Sequence, residues 1–405
     1  MIGERWQQVL DKHGDEVALH HPSGRLTFAQ LDGEARRLKH SGDYVLAQGG
    51  AAELLSALIA GALEGRPVQV VEKDRARRVP ECEVPEGTYL IKQTVGGSGH
   101  RRCQFFTEVQ ILADVDRLHA ALRLDQCGAC VAAISPAHSY GLSVTVLQTL
   151  LHGLPMHWVP EPFPAPLTEA LRCHERVFLP GIPALWRAWL RSGVSFENVS
   201  LAVSAGSPLT LAMERNAWEA GELKLHNLYG ASECGAVSYD ASGTPREDEG
   251  DMGTLLPGVS AQVDEQGLLV VQSSSVGLGY DERLAGECFD GGRFRTCDRA
   301  ELRGQRLLFR ECMGEGINVA GRKLSPGEIS AKLRAATGLK SVTVHGVPSR
   351  DPERCQEVVA VVGLPASELT PAFRGTACLG LAPWEIPRRW VAAEDTRLED
   401  TRHKT

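Results

Sequence analysis

The chain has 405 residues, 43% of them hydrophobic and 23% charged, with a net charge of −8. A chain of this size holds two or three domains with a sizeable core, and its negative balance argues against the basic face that nucleic acid requires. No run of 18 or more apolar residues occurs, which argues against a membrane span, and the opening Met1-Ile2-Gly3-Glu4-Arg5-Trp6 lacks an apolar signal core, so a cytoplasmic location is expected.

Tyr89-Leu90-Ile91-Lys92 reads as a strand and leads into the glycine-rich turn Thr94-Val95-Gly96-Gly97-Ser98-Gly99-His100-Arg101-Arg102. Next comes a helix over 107–124, with Val109, Leu112, Val115, Leu118 and Leu122 at helical spacing. The eleven cysteines are scattered and odd in number, as expected of reduced thiols. Cys127 and Cys130 form one CxxC pair, but a zinc site needs two more ligands and no second pair exists; the apolar run 129–134 instead reads as a strand with ordinary core cysteines.

Strand-and-helix pairs recur over 177–190 and 201–220, and the stretch 250–279, rich in Gly, Val and Leu, suggests antiparallel strands. After Arg310 the glycine-rich segment 314–321 precedes a helix over 326–337, strands over 341–347 and 357–362, and a polar tail. The pattern predicts an α/β protein: a large mixed N-terminal domain over 1–310 and a small α+β domain over 311–405.

Three segments carry chemistry. In 94–102, glycines among hydroxyls let backbone N–H groups curl around phosphates, although the spacing is not that of a Walker loop and a plain surface loop would read the same way. In Asn227-Leu228-Tyr229-Gly230-Ala231-Ser232-Glu233, an aromatic, a hydroxyl and a carboxylate follow an apolar strand and could stack a base, bond a phosphate and hold Mg²⁺. Taken alone, Tyr229 reads more often as a core aromatic and Glu233 as a solvated charge without a structural partner. In Gly292-Arg293-Phe294-Arg295-Thr296-Cys297-Asp298, the aspartate could accept two ribose hydroxyls or simply close a turn.

Together and in order, these segments resemble the adenylate-forming superfamily: acyl- and aryl-CoA synthetases, peptide-synthetase adenylation domains and luciferase. Residues 94–102 resemble its phosphate loop and Pro136-Ala137-His138-Ser139-Tyr140-Gly141-Leu142 its histidine–aromatic–glycine segment. Ser204-Ala205-Gly206-Ser207-Pro208-Leu209 resembles its adenine-side loop, and Tyr229-Gly230-Ala231-Ser232-Glu233 its YGxTE segment. Gly253–Val259, Gly279-Tyr280 and Phe294–Asp298 resemble later motifs, and 317–326 resembles the entry to the family's mobile C-terminal domain.

The resemblance implies an acid–thiol ligase that uses ATP and Mg²⁺ to make an acyl-AMP, then passes the acyl group to CoA or to the phosphopantetheine of an acyl carrier protein. It implies that Thr94, Gly96, Ser98, Gly99, Ala205, Gly206, Ser207, Tyr229, Gly230, Ser232, Asp298 and Arg310 bind the nucleotide, and that Glu233 holds the metal. Arg102, His138 and a cation of the tail are the implied catalytic residues; Arg402, His403 or Lys404 takes that last place, Lys404 being favoured as the lysine. His138 without a neighbouring aspartate points to an aryl or fatty acid rather than an amino acid.

The departures are specific. Arg102 stands for the loop's lysine, Cys297 for a glycine, and Glu311-Cys312 for the GR pair whose arginine holds the ribose, with Arg310 as substitute. The chain is also short over about 42–86. These departures keep two alternatives open: a degenerate homologue that binds nucleotide or acyl ligand without catalysis, and an enzyme that delivers its acyl-AMP to an amine or hydroxyl.

Overall fold

The computed structural model describes residues 1–40, 42–73, 75–95, 101–282, 288–312, 316–320, 322–351 and 354–392. The chain forms two compact units, one of Met1–Thr94 with Arg102–Cys312, the other of Val95–Arg101 with Met313–Thr405.

The first unit is built on a long mixed sheet. Its parallel part contains the strands Val199–Ser204, Val177–Gly181, Ala129–Ala132, Met156–Trp158 and Val17–His21, in that spatial order. Leu225–Ala231 lies beside Val199–Ser204 in parallel and beside Gly235–Tyr239 in antiparallel, so it marks the change from one half of the sheet to the other. The antiparallel half continues through Asp251–Leu255, Arg306–Cys312, Arg293–Arg303, Leu268–Ser273 and Val259–Val263. This agrees with the antiparallel strands expected over 250–279. Parallel strands buried on both faces need continuous apolar runs, and Val177–Gly181 is buried at every position.

A second sheet orders Gly279–Tyr280, Arg101–Thr107, Thr88–Val95, Val68–Val71 and Val45–Gln48. The helix Ala51–Glu64 crosses between its last two, parallel strands. The stretch that reads as short in sequence thus still supplies a complete βαβ unit.

Helix Glu108–Ala121 starts at Thr107, whose hydroxyl accepts from the Gln110 amide while the Gln110 side chain accepts from the Thr107 amide. Its buried face carries Ile111, Asp114, Val115 and Leu118, whereas Val109, expected to face inward, is 59% exposed. Val109 sits on the outward side of the first turn, whose Glu108 accepts from the Ile2 amide and whose Ile111 enters the core.

In the second unit, strands Val342–Pro348 and Gln356–Val362 pair in antiparallel, and Arg389–Ala392 adds in parallel. Helix Pro326–Thr337, capped by the Ser325 hydroxyl, buries Ile329 and Leu333 in a core with Val342, Val344, Val358 and Ala360. The strand Arg389–Ala392 lies where the sequence reads only as polar tail. Arg322 stacks on Trp384, 3.9 Å from the ring centroid. Among the described residues, no helix is long and apolar enough to cross a membrane. The eleven cysteines are free thiols, with Cys130 buried and Cys127 beside Ser200.

Candidate active site

In open α/β sheets, ligands collect at the carboxyl ends of strands, where loops can be shaped without breaking the ladder. Four sequence-selected segments meet at such a place in the first unit. Strand Val199–Ser204 ends in Ala205, Gly206 and Ser207, and strand Leu225–Ala231 ends in Ser232 and Glu233. Gly206 has φ +84°, a backbone conformation that a side chain would strain. Among the described residues, the buried hydroxyl oxygens of Ser204 and Ser207 have no hydrogen-bond partner, so they retain capacity for a ligand.

The strand Leu225–Ala231 shifts register between Tyr229 and Gly230, a bulge that re-aims the residues beyond it. Tyr229 donates a hydrogen bond to Oδ2 of Asp298 at 2.6 Å, which brings two of the sequence-selected residues into contact. Burial and the neighbouring Asp298 carboxylate push the Tyr229 phenol well above its ordinary pKa, so it remains a donor.

The second sheet reaches the same turn. The Thr94 hydroxyl lies 3.4 Å from that of Ser232, and Lys92 donates to the Ser232 carbonyl at 3.2 Å. Lys92 is buried, with Nζ 4.0 Å from the centre of the Phe106 ring. Burial lowers its pKa, an effect opposed by the charges of Asp114 and Glu233.

Glu233, which the sequence presents as a surface charge, is only 4% exposed, and it accepts a hydrogen bond from the Tyr280 hydroxyl. Arg102 is fully buried, its guanidinium 3.7 Å from the Tyr280 ring centroid, and it donates to the Glu282 carbonyl at 2.8 Å. Arg102, Tyr280 and Glu233 therefore form a stack that fixes the carboxylate.

His138 is half-buried and heads the single turn Ser139–Gly141, its carbonyl accepting from the Leu142 amide at 2.8 Å. A Cβ at Gly141 would lie 2.0 Å from the Ser135 carbonyl oxygen, so glycine alone fits this approach. Leu142–Val146 then runs as a short π-helix, and the Tyr140 hydroxyl ties the segment to the Val203 carbonyl at 3.1 Å.

Arg310 is exposed and pairs with Glu301. It is the extra residue of a bulge, because the register passes from Arg299–Glu311 to Ala300–Phe309. Gly96, Ser98, Gly99 and the tail residues Arg402, His403 and Lys404 lie outside the described residues, as does 313–315 beside the expected domain boundary.

Sequence reasoning missed Lys92, and it named Tyr280 only within the Gly279-Tyr280 motif, without a role. Lys92 lies two residues before Thr94 within an apolar strand, and an isolated lysine there is the signal that could have found it.

The arrangement of sheets and loops is found in other proteins. The o-succinylbenzoate CoA synthetase of Bacillus subtilis aligns over 96% of this chain and 94% of its own, with a TM-score of 0.79 at 15% identity. The amide bond synthetase McbA of Marinactinospora thermotolerans aligns over 96% and 95%, with a TM-score of 0.73 at 17% identity. These likenesses identify the fold as that of adenylate-forming enzymes. Residues 58–280 match the family described as AMP-binding enzyme, and the chain belongs to that family.

Among curated relatives, the 4-hydroxybutyrate–CoA ligase 1 of Metallosphaera sedula is 25% identical over 231 residues, covering 51% of this chain and 40% of that protein. The nonribosomal peptide synthetase sidE of Aspergillus fumigatus is 25% identical over 242 residues, covering 53% and 11%. The chain thus spans less than half the length of either.

Proposed function

We propose that this protein activates a carboxylic acid with ATP, forming acyl-AMP and pyrophosphate, and passes the acyl group to a thiol. The observation that carries this reading is the meeting of Thr94, Ser232, Glu233, Tyr229 and Asp298 at one junction of two sheets. Family membership and the CoA-ligase relative support it.

The hydroxyls of Thr94 and Ser232, with the loop 96–100, receive the polyphosphate; Asp298, oriented by Tyr229, receives the ribose; Ala205, Gly206 and Ser207 flank the base. The local donors are hard oxygens, which suit Mg²⁺, and Glu233 would hold that ion to neutralise phosphate charge. Fully buried under Tyr280, Arg102 acts here by positioning Glu233. His138 and its segment line the acyl pocket, and an aryl or fatty acid is favoured because no aspartate stands beside it for an ammonium group. A cation of the tail, Lys404 first among the three, stabilises charge on the reacting oxygens. The domain boundary proposed near residue 311 would let a small domain exchange that cation for the thiol of CoA or of a carrier protein.

The decisive measurement is acid-dependent exchange of pyrophosphate into ATP across a panel of aryl and fatty acids. Exchange above background with at least one acid is expected. Absence of exchange from a folded protein that still binds ATP would instead establish the non-catalytic reading, which the burial of Arg102 and the pairing of Arg310 with Glu301 favour. Identification of the acyl product then separates thiol from amine or hydroxyl acceptors.

A further inference from the structure

Away from this site, three histidines converge from distant parts of the sequence. His20 on Val17–His21 and His157 on Met156–Trp158 are direct register partners in a parallel pair. His174 comes from the turn between helix Pro164–Arg172 and strand Val177–Gly181. Nδ1 of His157 lies 3.0 Å from Nε2 of His174. The His20 ring stacks on His157 with centroids 4.9 Å apart and meets His174 edge-on at 5.0 Å. One ring nitrogen of each residue lies within 4.8 Å of the other two, and all three residues are half-buried.

The register also places His157 beside Val131, which packs in the apolar cluster with Leu167 and Leu171 of the helix Pro164–Arg172. The imidazoles therefore share the face that this helix covers, near the sheet edge formed by Val17–His21 and Gly24–Thr27. Tyr229 lies on a strand four places along the sheet from that of His157 and five from that of His20, roughly 20–25 Å at the usual interstrand spacing. Apolar side chains would fill the same space without the cost of desolvating three polar rings.

We propose that His20, His157 and His174 form a binding site for a divalent transition-metal ion such as Zn²⁺, with water completing the shell. Tetrahedral Zn–N bonds of about 2.0–2.1 Å place ligand nitrogens about 3.3 Å apart. The His157–His174 pair already has nearly this spacing, and the widest separation needs to close by about 1.5 Å, within reach of ring rotation.

Neutral imidazole is the ligating form. Burial and the neighbouring rings push His157 down to about 4, and burial also lowers His20 and His174. Arg25, opposite His20 on the next strand, acts in the same direction by charge. Ligation through Nδ1 of His157 and Nε2 of His174 requires the hydrogen held between them to shift to the far nitrogen of its own ring. An all-imidazole set selects Zn²⁺, Co²⁺, Ni²⁺ or Cu²⁺ over Mg²⁺, which keeps this site chemically distinct from the one proposed at Glu233. The ion would clamp the strands Val17–His21 and Met156–Trp158 to the turn carrying His174.

The test titrates the full-length, chelator-treated protein with Co²⁺ at pH 7. One equivalent should bind, with the visible absorption of four-coordinate Co²⁺ and no near-ultraviolet thiolate charge-transfer band, and Zn²⁺ should displace it. At a hundredfold excess over Kd, Zn²⁺ should raise Tm by several degrees. His157→Gln and His174→Gln should each weaken binding at least tenfold; His20→Gln, on the edge pair, serves if either of these fails to fold. Cys173→Ser, a change at the exposed thiol beside His174, should leave binding intact. Absence of saturable binding, a thiolate band, or undiminished affinity in the folded histidine variants would overturn the site.

Discussion

Tyr229 and Asp298 are 69 residues apart, yet the phenol of one donates to the carboxylate of the other at 2.6 Å. The contact joins the strand at the centre of the mixed sheet to the long strand Arg293–Arg303 in its antiparallel half. An aspartate held by a tyrosine presents its remaining lone pairs in a fixed direction, which is what recognition of a ribose diol needs.

Tyr229→Phe keeps the ring and removes this donor. The KM for ATP is expected to rise about tenfold with kcat little changed, because orientation of a binding group is lost. Asp298→Ala should raise the KM further. Combined, the two changes should be clearly less than additive, since both break one hydrogen bond. Steady-state pyrophosphate exchange on the four proteins of the cycle measures this, and full additivity would separate the two residues functionally.

Glu233 is buried between a tyrosine hydroxyl and the charge of Lys92, so its truncation cannot behave as a surface change. Glu233→Ala should cost about 2–4 kcal/mol, because the Tyr280 hydroxyl and a buried ammonium lose their partner. Glu233→Gln preserves an acceptor and should cost about 1 kcal/mol or less, while reducing Mg²⁺-dependent exchange at least about a hundredfold if the carboxylate holds the ion. Urea unfolding beside exchange assays separates the two effects; near-parent exchange in the glutamine variant would remove Glu233 from the metal role.

The loop after Ser204 depends on a buried ion network that touches no proposed ligand. Arg246 donates to Glu214 at 2.8 Å and to the Leu209 carbonyl at 2.6 Å, with both side chains of the ion pair fully buried. Lys224 bridges Glu214 to Asp240 on the other side. Arg246→Ala should destabilise the protein by about 3–5 kcal/mol and, where the fold survives at low temperature, raise the KM for ATP by loosening the segment 205–209. An unchanged KM with reduced stability would confine the network to the core.

The phosphate-loop, Tyr-Gly-Ala-Ser-Glu and Phe-Arg-Thr-Cys-Asp segments were legible because each is a continuous string, and so was the α/β alternation. What the sequence hid depends on register between distant strands. Nothing near Glu233 announces Tyr280, 47 residues on, and nothing near Thr94 shows that the lysine two positions earlier reaches the Ser232 carbonyl. Arg310 was chosen by position along the chain, but a bulge in its strand leaves its guanidinium paired with Glu301. The histidine triad was invisible for the same reason: 137 and 17 residues separate its members, and sheet order alone unites them.

That triad also sets an acid limit on the metal-free protein. Burial and the adjacent imidazoles push His157 from 6.5 down to about 4, so the folded state resists a proton that the unfolded chain accepts. Between about pH 6.5 and 4 the unfolded state binds more protons, and by linkage the free energy of unfolding falls as pH falls through this window and is independent of this group above it. His152, stacked on His119 with centroids 3.7 Å apart, is lowered by burial and by its neighbour and contributes with the same sign. After allowance for solvent screening at these half-buried sites, each group is expected to cost on the order of 1 kcal/mol by pH 4.5. Urea unfolding of the chelator-treated protein at pH 7, 5.5 and 4.5 gives the slope. Carboxylates titrate in the same range, so the informative comparison is His157→Gln, which should flatten the slope between pH 6.5 and 4.5 while leaving the alkaline side unchanged. A slope identical to that of the parent would mean that His157 titrates normally in the folded protein and that its ring is open to water.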